Sequence, residues 1–515
     1  MKLKRKFSIS SIVNFLSKNK IDIIFIIILS IISLYFLFWN LFESRLINGW
    51  EIANIREFNR PLTKYLSEGW DIGSNFYPFF LIIKLFSFFN SFPECRYITS
   101  FFTFLSVLLL YFLLRFLRLG KLISFPFSII IPINLQILTY SRIFISPPIT
   151  LFLSLSALFL YFIWERNKKD KFLILIFLFL GLIISNHIAA FYFVLAFLFW
   201  FIFLSFKKVI KIRTIFFCFV LFLLLNIPYL ILLTKTSSEG FWYYFKWRYQ
   251  QVGFEFNNKF YFSHIKNLDF FVDLLNGIWS ISNDYFIIIF FIPIIIFLNQ
   301  KNRDKDLKFL FYMFYSMFLF VLFSPVPFNI HYFFPFILVF IILIAKELSI
   351  TKNGLLYILL IIFMTVIFFS NIGPAIKFIN NNESEYLNQI FPKNYQKIAI
   401  EGYSYSILKY TNILNNTEFY VFKCFSNGIY SINDLKNYFP TDLGSKDELN
   451  PNFFIEKKLK RNDLIIFSGE CIAYSRLIGL NVSDYYGLNN SYTNINFPIE
   501  FVNNDLANII IYRVN

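Results

Sequence analysis

Charge is scarce in this sequence. Asp, Glu, Lys and Arg make up 15% of the 515 residues, where a soluble domain carries about 25%. Hydrophobic residues reach 57% and the mean hydropathy is +0.60, a balance that excludes a soluble globule and leaves an integral membrane protein. Cysteine is scarce as well: the four present have no metal-ligand spacing, which excludes a zinc ribbon and a disulfide scaffold. None of the three histidines stands in a ligand pattern with carboxylates, so neither a metal nor a cofactor is expected. Acids are outnumbered 31 to 48, for a net charge of +17. Most of the Lys and Arg, however, sit in short loops between apolar segments, where they report topology, so nucleic acid is not an expected partner. No small-residue cleavage site follows the first apolar run, which is read as a span and not as a cleaved signal.

What the chain does have is long apolar runs separated by basic loops. Lys2, Lys4, Arg5, Lys6, Lys18 and Lys20 precede the first run, which places the N-terminus in the cytoplasm by the positive-inside rule. Eleven spans are expected, at residues 21–42, 98–116, 122–140, 148–164, 172–185, 189–206, 215–233, 281–298, 309–323, 333–345 and 355–369. The expected inner loops hold Arg166 to Lys171, Lys207 to Arg213 and Lys301 to Lys308, whereas the short outer loops hold little beyond Arg142. Residues 76–89 carry Lys84 at mid-run, where a cation costs about 2.5–3.5 kcal/mol, and counting them as a span would turn every later basic loop outward. They are read as an in-plane or re-entrant helix.

Three segments then share the outer face: the loop 43–97, the loop 234–280, and everything after residue 371. The first contains Asn48-Gly-Trp-Glu-Ile-Ala-Asn-Ile-Arg56, which sets Glu51 at a membrane surface. Glu51 is a candidate catalytic base, and equally an ordinary loop carboxylate paired with Arg56 or Arg60. The second contains Gly240-Phe-Trp-Tyr-Tyr-Phe-Lys-Trp-Arg248, an aromatic and basic run suited to the headgroup level, as an anchor or as a grip on a lipid. After residue 371 the composition turns polar. Short β-rich runs at 397–401, 418–422, 463–467 and 508–512, with a helix expected at 404–412, indicate a small α/β domain. The chain thus divides into a membrane module, 1–371, and an extracytoplasmic domain, 372–515. Cys424 and Cys471 both fall in the latter, where a disulfide is permitted.

Several pieces, in order and on the expected side, resemble the membrane glycosyltransferases of the GT-C fold, in the superfamily of protein O-mannosyltransferases and aminoarabinose transferases. The resemblance covers about residues 20–345. Trp50-Glu51 stands where the family has an acidic pair, followed by Asn75-Phe-Tyr-Pro-Phe-Phe-Leu81. Arg96 opens the next span, and Tyr140-Ser-Arg-Ile-Phe-Ile-Ser-Pro-Pro148 looks like the family's Tyr-Ser-Arg segment. Leu180-Gly-Leu-Ile-Ile-Ser-Asn-His187 and His331-Tyr-Phe-Phe-Pro335 resemble later elements. Trp50 replaces the first acid of the pair, and Pro78 stands alone where two prolines are common.

The resemblance implies transfer of a sugar from a polyprenyl-phosphate donor, on the outer face of the membrane, to a protein, lipid or glycan acceptor. A phosphate leaves as an anion without a proton, so the site must supply a base for the acceptor and positive charge for the phosphate. Glu51 is the candidate base, and direct attack predicts inversion. Arg96, Arg142 and His331 are the candidate donor-phosphate residues; snorkelling to ordinary lipid phosphates is their alternative role. Asp71, and Asp269 with Asp273, are fallback acids, and His187 is read as a helix-end polar residue. A transporter or lipid flippase is the rival function, against which stand the absence of an evident internal repeat and the few charges within spans. A catalytically inactive scaffold is a third, kept open by Trp50.

Overall fold

The structure is a computed structural model. It describes residues 20–42, 51, 94–187, 190–235, 304–322, 334–350, 354–380, 397–401, 418–422, 464–467, 492–495 and 510–514. The expected span 281–298, the in-plane segment 76–89, the run 240–248 and the helix 404–412 lie outside the described residues, as do Asp71, Asp269, His331, Cys424 and Cys471. The chain divides into two compact units, Met1–Leu41 with Arg60–Ile379, and Phe42–Asn59 with Asn380–Asn515.

The first unit is helical. Its described helices are α1 (Lys20–Phe38), α2 (Arg96–Phe116), α3 (Lys121–Ile133), α4 (Leu135–Ser141), α5 (Pro147–Asn167), α6 (Asp170–Asn186), α7 (Phe191–Phe206), α8 (Ile212–Lys235), α9 (Lys305–Leu322), α10 (Phe334–Ile350) and α11 (Gly354–Ile379). Among the described residues α1, α2 and α5 are each long and apolar enough to cross a bilayer, and α3 with α4 qualifies as one bent span. The expected span 122–140 is broken there by 58°. Pro126 and Pro132 lie inside α3, and Asn134 ends it: its side-chain oxygen accepts from the Ile137 amide 3.0 Å away and starts α4 as an N-cap.

Helix α10 is buried along almost its whole length, from Phe334 to Leu348, as an apolar helix at the centre of a bundle must be. It packs on α9, α5 and α3. Beside it, Tyr161 of α5 stacks on Phe309 of α9 at 3.6 Å between ring centroids. The Tyr161 hydroxyl accepts a 2.9 Å hydrogen bond from the Trp200 indole of α7, so its polar end is satisfied inside the aromatic cluster.

Side-chain ties join the helix ends in the pattern that alternation demands. At the end expected to face inward, Asp22 at the start of α1 accepts from Tyr111 at 2.6 Å and Arg115 at 2.9 Å, near the end of α2. Lys121, at the start of α3, pairs with the other Asp22 oxygen at 3.3 Å. Lys346, late in α10, pairs with Asp304 at 2.8 Å and Asp306 at 3.6 Å at the start of α9, and donates to the Leu117 carbonyl at 3.2 Å. Arg166, at the end of α5, lies 3.9 Å from Asp306 and over the Phe116 ring. These charges sit where acids and bases are costly unless paired, and each has an opposite partner.

The described part of the second unit is a five-stranded mixed sheet of β1 (Lys397–Glu401), β2 (Glu418–Phe422), β3 (Leu464–Phe467), β4 (Tyr492–Ile495) and β5 (Ile510–Val514), in the order β2-β1-β3-β5-β4. β1 pairs parallel with β2 and β3, while β5 pairs antiparallel with β3 and β4. Parallel neighbours require crossover connections, which run through 402–417 and 423–463. β4, with the polar sequence Tyr-Thr-Asn-Ile, was not expected; it is an edge strand, where one polar side is tolerated.

Candidate functional site

The site is built on the C-terminal end of α1. The last carbonyls of a helix have no partner within it and carry the negative end of its dipole. Here the chain leaves α1 through Asn40, at φ 51°, a left-handed conformation that Asn tolerates. The Asn40 amide donates to the Ile379 carbonyl at 3.3 Å and so fixes the exit against the end of α11. The remaining carbonyls face α2 and the turn after α4.

Two arginines converge on them. Arg142, immediately after α4, donates through Nη1 to the Phe36 carbonyl and through Nη2 to the Trp39 carbonyl, each at 2.7 Å. Arg96, the first residue of α2, donates through Nη1 to the Leu41 carbonyl at 3.2 Å. Both side chains are fully buried. Burial foremost, and then the neighbouring Arg96 cation, push the Arg142 guanidinium below its ordinary pKa, while arginine remains protonated at neutral pH. The structure thus brings two of the sequence-identified basic residues onto the same end of α1.

Hydroxyl groups set the frame around them. Ser100 donates to the Leu37 and Ser141 carbonyls at 3.2 and 3.1 Å, Thr103 to the Ser141 hydroxyl at 2.7 Å, and Ser141 to the Ile137 carbonyl at 2.6 Å. The far side of the Arg142 turn is held by Asn186 at the end of α6, whose amide donates to the Ser146 carbonyl at 3.1 Å and the Thr150 hydroxyl at 2.7 Å. Pro147 and Pro148 then start α5, the position where a missing N–H does no harm. Asn186 was not singled out from the sequence; its signal was an amide at the end of an apolar helix. His187, beside it, is buried and ends α6, as expected of a helix-end polar residue.

Glu51 is fully buried and belongs to the second unit. Asp71, Asp269 and His331 lie outside the described residues. The described part of the site thus holds two buried guanidinium groups bonded to the last α1 carbonyls, framed by hydroxyl groups that donate to carbonyls and to one another.

No family model matches the sequence, and no curated protein does. Among solved structures, the chain is similar to the crystal structures of ArnT from Cupriavidus metallidurans, one in the apo state and one bound to undecaprenyl phosphate. In each comparison the TM-score is 0.46, the identity is 11%, and the match covers 68% of this chain. The match covers 63% of the ArnT chain, so this chain spans about that share of the length of the protein it is similar to.

Proposed function

We propose that this protein is a polyprenyl-phosphate-dependent glycosyltransferase of GT-C type. Arg96 and Arg142, with His331, take the donor phosphate; Glu51 is the base for the acceptor. The observation that carries the reading is the convergence of Arg96 and Arg142, both fully buried, at one end of the helical unit. A guanidinium presents a planar fork of N–H donors that matches a phosphate bidentately, which is the chemistry the reading assigns to this pair. The reaction forms a bond from an acceptor oxygen or nitrogen to the anomeric carbon while the bond to the phosphate oxygen breaks. Glu51 accepts the acceptor's proton, and the polyprenyl phosphate leaves as an anion. Attack from the opposite face inverts the anomeric centre. The scheme calls on no metal. In the reading, the Arg96 end of the bundle faces outside, the N-terminus lies in the cytoplasm, and 372–515 is extracytoplasmic.

The test uses membranes containing the full chain and a radiolabelled polyprenyl-phosphate sugar. Transfer is expected to fall about 10²–10⁴-fold in Glu51→Gln, with the protein still inserted, because Gln keeps the size but cannot accept a proton. Arg96→Ala is expected to weaken donor use about tenfold or more, and Arg96→Lys less, since Lys keeps the charge and loses the fork. Normal transfer by Glu51→Gln overturns its assignment, and normal turnover of both Arg96 variants at limiting donor moves the phosphate pocket elsewhere.

A further inference from the structure

At the opposite end of the helical unit, two apolar grooves run along either side of α7 and share one residue, Ile202. One, of 350 Å³, lies between α7 and α9 and is lined by Phe199, Trp200, Phe203, Phe206 and Tyr312. The other, of 310 Å³, lies between α7, α8 and α6, with Phe177, Leu198, Ile215 and Phe216 in its wall. Their walls are strongly exposed: Phe203 is 45% accessible, Phe206 83%, Ile212 78% and Phe216 69%. The walls are apolar apart from a trace of polar surface in the first groove, whose Trp200 indole N–H already donates to the Tyr161 hydroxyl, so each suits hydrocarbon.

Both grooves end at the same tight turn. Phe206, the last residue of α7, closes the first, and Ile212, the first of α8, opens the second. The turn between them is fixed by bonds from the Lys207, Lys208 and Val209 amides to the Phe203, Ser205 and Leu204 carbonyls, with Lys208 left-handed at φ 55°. It carries Lys207, Lys208, Lys211 and Arg213, all exposed. The Lys207 ammonium lies 5.3 Å from the ring centroid of Phe203, directly over a groove wall.

We propose that this place binds one two-chain anionic glycerophospholipid, its acyl chains lying in the two grooves astride Ile202 and its headgroup phosphate on the Lys207–Arg213 turn. Basic loops alone report topology. Here the cations stand at the head of two adjacent hydrocarbon slots, which is the shape of a forked anionic amphiphile and not of a single-chain one. Anionic lipids are concentrated in the leaflet that faces the cytoplasm, the side on which this basic turn is expected.

The experiment is a thermal-shift titration of the purified full-length protein in neutral detergent. Palmitoyl-oleoyl phosphatidylglycerol is expected to stabilise with an apparent affinity about tenfold or more above that of the matching phosphatidylcholine. The combined variant Lys207→Gln, Lys208→Gln, Lys211→Gln, Arg213→Gln is expected to keep its melting temperature in detergent and lose the preference. Dihexanoyl phosphatidylglycerol, with the same headgroup and chains too short for the grooves, is expected to give no shift. Equal affinities for the two long-chain lipids, a preference that survives in the combined variant, a full shift from the short-chain lipid, or a shift from undecaprenyl phosphate without one from phosphatidylglycerol each overturns the proposal.

Discussion

Replacing Tyr111 by Phe removes one oxygen atom from the tie between the first three helices. The ring is 1% exposed, and its hydroxyl donates at 2.6 Å to an Asp22 oxygen that also accepts from Arg115 at 2.9 Å. A hydrogen bond to a charged acceptor contributes about 1.5–3 kcal/mol in water-soluble proteins, whereas interhelical bonds in membranes average about 0.6 and reach about 1.7 kcal/mol. Asp22 keeps Arg115 and Lys121 in the variant, so no charge is orphaned, and a loss of about 1–2 kcal/mol follows. Asp22→Asn removes the charge instead; Arg115 and Lys121, with side chains 27% and 28% exposed, then turn to water. The double variant should lose less than the sum of the singles, with a coupling energy of about 1 kcal/mol. The measurement is unfolding in mixed micelles of rising dodecyl sulfate content, with helicity as the readout. A Tyr111→Phe protein within about 0.5 kcal/mol of the parent, or single losses that simply add, refutes the idea that this tie holds the helix ends together.

Lys346→Met should destabilise the fold by about 2–4 kcal/mol, below the full penalty for a broken buried pair because the Asp304 side chain is 35% exposed. Burial pushes the Asp304 carboxyl up, but the Lys346 and Asp306 hydrogen bonds prevail and hold it below its ordinary value. Its contribution is therefore present above about pH 4 and is lost as pH falls towards the folded-state value. The destabilisation of Lys346→Met relative to the parent, read from the melting transition, should be largest near neutral pH and shrink as pH falls below about 4. Gly181 faces α8, and an added Cβ would stand 3.1 Å from the Leu225 methyl and 3.4 Å from the Asn226 amide. Gly181→Ala should be tolerated by rotation of Leu225, whereas Gly181→Leu should cost about 1–3 kcal/mol in the same micelle assay.

The apolar runs were legible because membrane helices announce themselves by length: the expected 98–116 is α2 to within two residues, and 148–164 lies inside α5. The break in the third span was legible in principle. Pro132 followed by Asn134 writes a helix stop and a cap, but hydropathy averaged across both. Helix α11 runs on to Ile379, past Pro374 and beyond the expected end at 369. Strand β4 carries no apolar alternation and owes its existence to pairing with β5, a long-range cause that a local pattern does not contain. At the site, Arg96 and Arg142 were visible as basic residues at span ends. That their hydrogen bonds run to the α1 carbonyls was not, since those contacts cross more than fifty residues of chain. Lys346 was missed because a charge just past an apolar run was counted as its boundary, and Asp22 because a lone acid inside the first run was averaged into it, when each was half of a pair.

The ties at the helix ends also set a timetable for biogenesis. Asp22 and Arg115 are 93 residues apart, Phe36 and Arg142 are 106 apart, and Leu117 and Lys346 are 229 apart. At about 5–20 residues per second, Arg115 leaves the ribosome about 5–20 seconds after Asp22. The first helix therefore waits beside the insertion machinery with a carboxylate whose partners have yet to be made. Lys346 arrives last, and any nascent chain arrested before it holds Asp304 and Asp306 side by side without the lysine that joins them to the end of the second helix.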